Sequence, residues 1–521
     1  MPKLPDMHPI NIGMLLTRNS KCRPKHLGII FEEKRLTFQD FNRSVNRIAN
    51  ALHDLGIEKG DKIAIVLPNC LELLELYWGI AKLGAVAVPL STLLMSRGLK
   101  SLITDSDAKV VVTNSQFMSV LDEIKPELEN VVSDWYILTD NPSISGYQDY
   151  HALKAEASDD EPEEVEIDEN DPYNIIYSSG TTGLPKGIVL SHYVRAFYAT
   201  LFASSFRMTP ESIVIHSGSI VFNGSFVTLI PAMFVGATYI LHSKFDAQEF
   251  IETVQRERAT HVIMVPSQLI AILNAPNFSV EALESLEMIC SVGAPLHMDV
   301  KEKLSQLLPN RFYELYGLTE GFITILDKTH YVSKPQSVGI PPPFYQIRIV
   351  SDAGEDVPVG EIGEIVGRGP TLMTEYYKRP DLTAQTLKDG WLYSGDLGYV
   401  DDDDFLYLVD RKKDMIISGG VNVYPKDIEE VVAQHPEVEE VAVFGIPDSK
   451  WGESSVAAVT LKKPNILTSE ELVKWVNERV GAKFQRVRQV LILDEFPRSI
   501  SGKILKRVLR DEYTNSGQLE F

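Results

Sequence analysis

Residues 177–192 read YSSGTTGLPKGIVLSH. An apolar run at 173–177 leads into this stretch as a strand. A loop of small and hydroxyl residues follows, holding Ser178, Ser179, Gly180, Thr181, Thr182, Gly183 and Lys186. Glycines let the backbone turn tightly and bring its N–H groups close to an anion. Four hydroxyls and one lysine add side-chain donors. Such a loop can hold the oxygens of a triphosphate. It is not a Walker A loop, because Lys186 is followed by Gly187 where Ser or Thr would be needed. A flexible surface turn is the alternative for any Gly/Thr-rich segment taken alone; the full ten-residue string is far more specific.

Working outward, the preceding chain alternates between two periods. Residues 37–55 open with Thr37 and repeat Phe41, Val45, Ile48 and Leu52 at helical spacing. Residues 61–67 read as a buried strand, 71–83 as a helix, and 85–88 and 109–113 as strands. This alternation predicts a parallel sheet with helices packed on it. Residues 156–171 are mostly acidic with an internal proline, which predicts a solvated connector. Downstream, 346–350 and 361–366 read as hairpin strands. A boundary falls near 410–414, past which a compact α+β unit is expected: helix 426–434, strands 438–444 and 455–461, helix 469–480. The last stretch is basic, with Lys483, Arg486, Arg488, Arg498, Lys503, Lys506, Arg507 and Arg510. That suits a lid over phosphates; a solvated helix face is the alternative. No internal repeat is present.

The chain has 521 residues, 44% hydrophobic and 23% charged, a soluble globular composition too long for one core. A net charge of −22 disfavours nucleic acid and anionic membranes as general partners, because the long-range field repels polyanions. Cys22, Cys70 and Cys290 show neither CxxC pairing nor metal-ligand spacing, as expected for a reducing compartment. No secretory leader and no transmembrane run is read, so a cytoplasmic enzyme is expected.

The string at 177–192 resembles the adenylate-forming superfamily, which includes acyl- and aryl-CoA synthetases, luciferases and peptide-synthetase adenylation domains. Further motifs follow in that family's order: SVGAPL at 291–296, YELYGLTE at 313–320, WLYSGD at 391–396, DRKKD at 410–414, SGGVNVYP at 418–425 and SGKI at 501–504. The resemblance spans almost the whole chain. It implies an α/β fold: a large N-terminal domain, 1–410, of parallel α/β subdomains plus a β-barrel-like subdomain, a hinge at 411–414, and a small mobile α+β lid domain, 415–521.

The resemblance also implies roles. The loop from Ser178 to Lys186 would hold the β- and γ-phosphates. Gly293, Ala294 and Pro295, with Glu314, Leu315, Tyr316 and Gly317, would bracket adenine. Thr319 would donate to the α-phosphate. Glu320 would carry Mg²⁺, a hard cation that takes oxygen ligands. Asp396 would accept from the ribose hydroxyls, with a turn aspartate as the alternative. Arg411 would bind ribose or phosphate oxygens. Lys503 would bridge the attacking carboxylate and the α-phosphate in adenylation, and rotation about Lys413 would then withdraw it. Ser418, Gly419 and Gly420 would form part of a pantetheine tunnel. Trp451, Lys483 and Arg486 are candidates for the CoA nucleotide, core packing being the alternative for Trp451.

The acyl pocket is expected to draw on 220–225, 265–268, 292–294 and 316–324, with Val221, Asn223, Gly224, Ser267 and Gly317 as its named residues. Two departures bear on it. An ungapped alignment back from Gly236, Ala237 and Thr238 puts Ile220 and Val221 where many acyl-CoA synthetases carry an aromatic–His pair. It puts Asn223 where peptide-synthetase domains hold the aspartate that pairs with a substrate amino group. Asparagine offers no ion pair, which argues against an α-amino acid; capping a turn is its other possible role. The function implied is an ATP-dependent carboxylic-acid:CoA ligase for a fatty, alicyclic or aryl acid, using ATP, Mg²⁺ and coenzyme A. The rivals are loading of a carrier-protein phosphopantetheine, a luciferase-like oxygenase and a non-catalytic nucleotide-binding homologue. The motifs leave the acid's identity open, and also whether the chain forms a homodimer.

Overall fold

The computed structural model describes residues 10–140, 144–178, 186–418, 421–448, 451–464, 466–498 and 503–515. Packing divides the chain into two compact units. The first holds Met1–Pro335, Gly339–Gln346 and Arg368–Leu392; the second holds Gln336–Val338, Ile347–Gly367 and Tyr393–Phe521. Residues 347–367 and 393–410, grouped by sequence with the first 410, therefore pack with the C-terminal residues.

The first unit is built on two eight-stranded sheets. One runs, edge to edge, through Glu375–Tyr376, Lys186–Ser191, Pro172–Ser178, Val86–Pro89, Lys62–Val66, Ala108–Thr113, Tyr136–Leu138 and Gln148–Asp149. Lys62–Val66 lies parallel to both neighbours, as the alternating pattern predicts. Ile63 and Ile65 pack into one apolar core while Ala64 and Val66 pack into another. Both faces are thus covered, which is why this strand is apolar from Ile63 to Val66. The helix Phe38–Asp54 begins where the sequence places it, with the Thr37 hydroxyl accepting from the Asp40 N–H at 3.1 Å.

Beyond Glu156 the acidic segment is free of helix and strand and mostly exposed, as expected of a solvated connector, but part of it is anchored. Glu161 accepts from the buried Lys82 ammonium at 2.8 Å and from Asn42 Nδ2 at 2.7 Å. The backbone carbonyls of Ser158, Asp159 and Asp160 accept from Asn50 and Asn46. The polar face of Phe38–Asp54 supplies partners that a one-dimensional charge run cannot reveal.

The second unit contains most of a curled five-stranded sheet: Gln346–Val350, Gly363–Arg368, Trp391–Val400 and Leu387–Lys388 in order, with Leu406–Arg411 also paired to Trp391–Val400. Its other sheet runs Val421–Val423, Ile416–Ser418, Gly452–Leu461 and Val438–Asp448, with Val487–Leu493 parallel to Gly452–Leu461. Helices Pro425–Ala433 and Ser469–Asn477 contribute Ile428, Val432, Leu472 and Val476 to its core. Among the described residues no helix is long and apolar enough to cross a membrane.

Candidate functional site

In the second sheet of the first unit, Ile213–His216, His261–Met264, Met288–Val292 and Phe312–Gly317 lie side by side and parallel. Their C-terminal ends form one edge, the place where open α/β sheets bind ligands. The chain leaving each end carries Val221, Asn223 and Gly224, then Ser267, then Gly293, Ala294 and Pro295, then Thr319 and Glu320. Segments about 100 residues apart in the sequence are so collected by strand order. Gly293 adopts φ +89°, which other residues rarely tolerate. At Gly317 an added Cβ would lie 2.6 Å from Ile323 Cγ2 and 2.8 Å from the Phe322 carbonyl oxygen, so no larger residue fits unmoved.

The side chains divide by burial. Ser267, Gly293, Ala294, Pro295 and Gly317 are exposed; Asn223, Gly224, Tyr316, Thr319 and Glu320 are half-buried. Val221 and Leu315 pack into the core. The Glu314 carboxylate is buried and paired with Lys301, which also donates to the Pro335 carbonyl at 3.2 Å. What Glu314 presents to the edge is therefore its strand backbone.

A second cluster links the hairpin of Pro172–Ser178 and Lys186–Ser191 to this edge. Ser178 and Lys186 face each other across the antiparallel pair that opens the loop. Ser179, Gly180, Thr181, Thr182 and Gly183 lie outside the described residues. The Lys186 ammonium sits 4.9 Å from the centroid of the Tyr376 ring. Tyr376 Oη donates to Glu320 Oε1 at 2.7 Å. Burial, then the charge of Glu320, pushes the Tyr376 phenol well up, in keeping with its role as the donor. Tyr376 is placed by pairing with Ile188 next to the loop, and the Glu320 carbonyl accepts from Met373 N at 2.8 Å. Gly321 permits this approach: at φ +111° an added Cβ would fall 1.8 Å from the Thr371 carbonyl oxygen.

Among the described residues no group of three or more His, Cys, Asp or Glu could hold a metal ion. Mg²⁺ does not require one. It commonly takes one or two carboxylates and completes its octahedron with phosphate oxygens and water. Glu320, a half-buried carboxylate oriented through one oxygen, fits that pattern.

In the second unit, Asp396 and Arg411 are register partners on adjacent strands, and Arg411 Nε donates to Asp396 Oδ1 at 2.7 Å. Gly395, at φ +70°, receives the N–H of Lys412 on its carbonyl at 3.0 Å. Lys412 is tied to Glu364 and Asp352 at 2.9 and 2.8 Å, whereas Lys413 is exposed in the turn that follows. Ser418 pairs with Gly452, which places it beside Trp451. Trp451 is 50% exposed, so core packing is excluded as its role. Val421–Val423 packs beside the short turn Lys483–Gln485, bringing the exposed Lys483 and Arg486 to the same end of the unit. Gly419 and Gly420 lie outside the described residues. Lys503 is exposed, next to the bridge between Arg498 and Ile504.

Sequence reasoning missed Tyr376, Lys301 and Arg195. The last is a fully buried arginine in helix His192–Ser205, and a lone charge inside an apolar helical stretch was the signal available for it.

Comparison with known proteins agrees with this geometry. The AMP-binding enzyme family matches residues 16–377, and the AMP-binding enzyme C-terminal domain matches 427–503. A feruloyl-CoA synthase of Amycolatopsis sp is 33% identical over 511 residues, covering 96% of this chain and 99% of the relative. A long-chain-fatty-acid–CoA ligase of Mycobacterium tuberculosis is 33% identical over 513 residues, covering 97% and 99%. Among solved structures, o-succinylbenzoate CoA synthetase from Bacillus subtilis, in complex with its acyl-adenylate intermediate, superposes with a TM-score of 0.85 at 29% identity, covering 95% of this chain and 98% of that one. A match of this extent, together with the strand-edge site, places the chain in the AMP-binding enzyme family as an adenylate-forming acid:CoA ligase that uses ATP and CoA.

Proposed function

We propose that this ligase activates a fatty, alicyclic or aryl carboxylic acid in two steps. The carboxylate attacks the α-phosphorus of MgATP, giving acyl-AMP and pyrophosphate. The thiol of CoA then attacks the acyl carbon and releases AMP. In this proposal Glu320 holds Mg²⁺, Thr319 donates to the α-phosphate, and Lys186 with the loop before it holds the outer phosphates. Asp396 and Arg411 take the ribose, Lys503 serves adenylation, and a hinge at Lys413 separates the two steps. Ser418, Trp451, Lys483 and Arg486 serve CoA.

The observation that carries the proposal is the chain of contacts Lys186–Tyr376–Glu320. It ties the base of a phosphate-type loop to a carboxylate leaving the C-terminal end of a parallel strand, where a metal–triphosphate needs both. An acyl substrate is supported by Asn223, which lacks the charge an α-ammonium group would require. The acceptor is proposed to be free CoA because the exposed Trp451 adjoins Gly452, the partner of Ser418, and the turn carrying Lys483 packs beside Val421–Val423, the strand paired with Ile416–Ser418.

A panel of carboxylic acids with ATP, read as AMP release, tests this. Apolar fatty or aryl acids should release AMP in the presence of CoA, and α-amino acids should not rise above background. Preference for an α-amino acid would overturn the acyl assignment. Turnover with a holo-carrier protein but not with CoA would overturn the acceptor.

A further inference from the structure

Arg195 is fully buried, and its partners are all neutral. Its Nε and Nη2 donate to Asn174 Oδ1 at 3.4 and 3.1 Å, and its Nη1 donates to Asn223 Oδ1 at 2.9 Å. Its guanidinium carbon lies 4.2 Å from the centroid of the Phe226 ring and 4.9 Å from that of Tyr198. Among the described residues no carboxylate forms an ion pair with it. Burial lowers its pKa, and the groups that oppose the shift are the hydroxyls of Tyr198, Tyr173 and Tyr77. A guanidinium nonetheless keeps its proton in a protein. The chain thus holds an uncompensated cation directly behind Asn223.

That placement fixes the orientation of the Asn223 amide by chemistry alone. A guanidinium has donors and no acceptor, so the atom facing Arg195 has to be the amide oxygen. The Asn223 NH₂ group then faces the other way, where one N–H donates to Tyr198 Oη at 3.2 Å. The second N–H remains for the half-open side of the residue. At the neighbouring Gly224 an added Cβ would meet nothing within 4 Å, so the chain beside Asn223 borders open space.

We propose that Arg195 and Tyr198 lock Asn223 as a donor-only group, so that the acid this chain activates carries a hydrogen-bond acceptor, an ether, hydroxyl or keto oxygen, where its acyl part meets Asn223. The proposal rests on 220–225 lining the acyl pocket. The field of Arg195 acts in the same direction, since it favours a lone pair and opposes an ammonium group. Arg195 is a positioning residue here; Asn223 makes the contact.

The test uses matched acids on any scaffold that is turned over, differing only in an ether oxygen against a methylene, or a keto group against a methylene, at successive positions. At one position the wild-type enzyme should prefer the oxygen congener by roughly tenfold in kcat/KM, the worth of one hydrogen bond. Asn223→Leu should erase that preference, read as the ratio of kcat/KM for the two congeners whatever the change in absolute rate. Asn223→Asp should pair with Arg195 and reverse it, favouring donor-bearing over ether-bearing acids. Arg195→Lys keeps the charge and should keep the preference; Arg195→Met frees the amide to flip and should lower it. If the Asn223 variants change kcat/KM for some acids but no oxygen preference exists in the wild type, the donor-only assignment is wrong. If they leave every acid unchanged, 220–225 does not line the pocket and the underlying assignment is wrong instead.

Discussion

Tyr376 donates its hydroxyl hydrogen bond to Glu320 at 2.7 Å while its ring receives the Lys186 ammonium at 4.9 Å. The two residues are 56 positions apart and meet because a two-residue strand, Glu375–Tyr376, pairs with Lys186–Ser191. A carboxylate held by one oxygen keeps a fixed orientation for a cation on the other, and the neighbour that orients a metal ligand governs its affinity.

Tyr376→Phe removes this single hydrogen bond and leaves the ring under Lys186. The Mg²⁺ concentration giving half-maximal activity should rise about threefold to tenfold at saturating acid, with the thermal midpoint little changed. Titration of Mg²⁺ at fixed ATP measures it. An unchanged Mg²⁺ dependence would remove Tyr376 from the metal site.

The pair Lys82–Glu161 governs stability rather than catalysis. The Lys82 side chain is 2% exposed, whereas that of Glu161 is 37% exposed. Stranding a wholly buried charge costs about 3–5 kcal/mol, and partial screening of Glu161 reduces this to about 2 kcal/mol for Glu161→Ala. Burial alone would raise the Glu161 pKa, but the hydrogen bond and charge of Lys82 outweigh it and hold the carboxyl below its usual range. A folded-state pKa below the unfolded one means that the pair's contribution is complete above the unfolded value of about 4.3. It is lost as pH falls through the folded value. The wild type and Glu161→Ala should therefore differ in urea midpoint at neutral pH and in mild acid alike, and converge only as pH falls through the folded-state value of Glu161. Equal midpoints for the two proteins at neutral pH would show the pair to be dispensable.

Trp451 separates binding from packing. Because half its surface is exposed, Trp451→Ala should leave the melting temperature within about a degree or two, as surface substitutions do. The KM for CoA should increase several-fold and the KM for ATP should not. A drop in stability without a change in KM for CoA would assign the indole to the fold instead.

Elements that advertise themselves locally were legible in the sequence. Phe38–Asp54 combines a helical repeat with a capping threonine, and Lys62–Val66 is apolar from Ile63 onward because both its faces are covered. The ends of two of the four parallel strands, Met288–Val292 and Phe312–Gly317, were legible as motifs, but the gathering of all four on one edge is set by strand order, which sequence spacing does not encode. Tyr376 was invisible because its strand is two residues long and its partner lies nearly 190 positions away. Glu161 reads as one more acid in a charged run until Asn42 and Lys82 surround it. Arg195 stands as a lone charge in an otherwise apolar helical stretch, and only the packing shows that it lies on the buried face of that helix.

Lys503 is proposed to serve adenylation alone, and Lys503→Ala checks this in single-turnover kinetics on each half-reaction. Formation of acyl-AMP from acid and MgATP should fall by about two to three orders of magnitude, because charge developing at the α-phosphate loses its partner. Conversion of supplied acyl-AMP and CoA to the thioester should proceed at close to the wild-type rate. Equal loss of both half-reactions in a variant that remains folded would contradict the account.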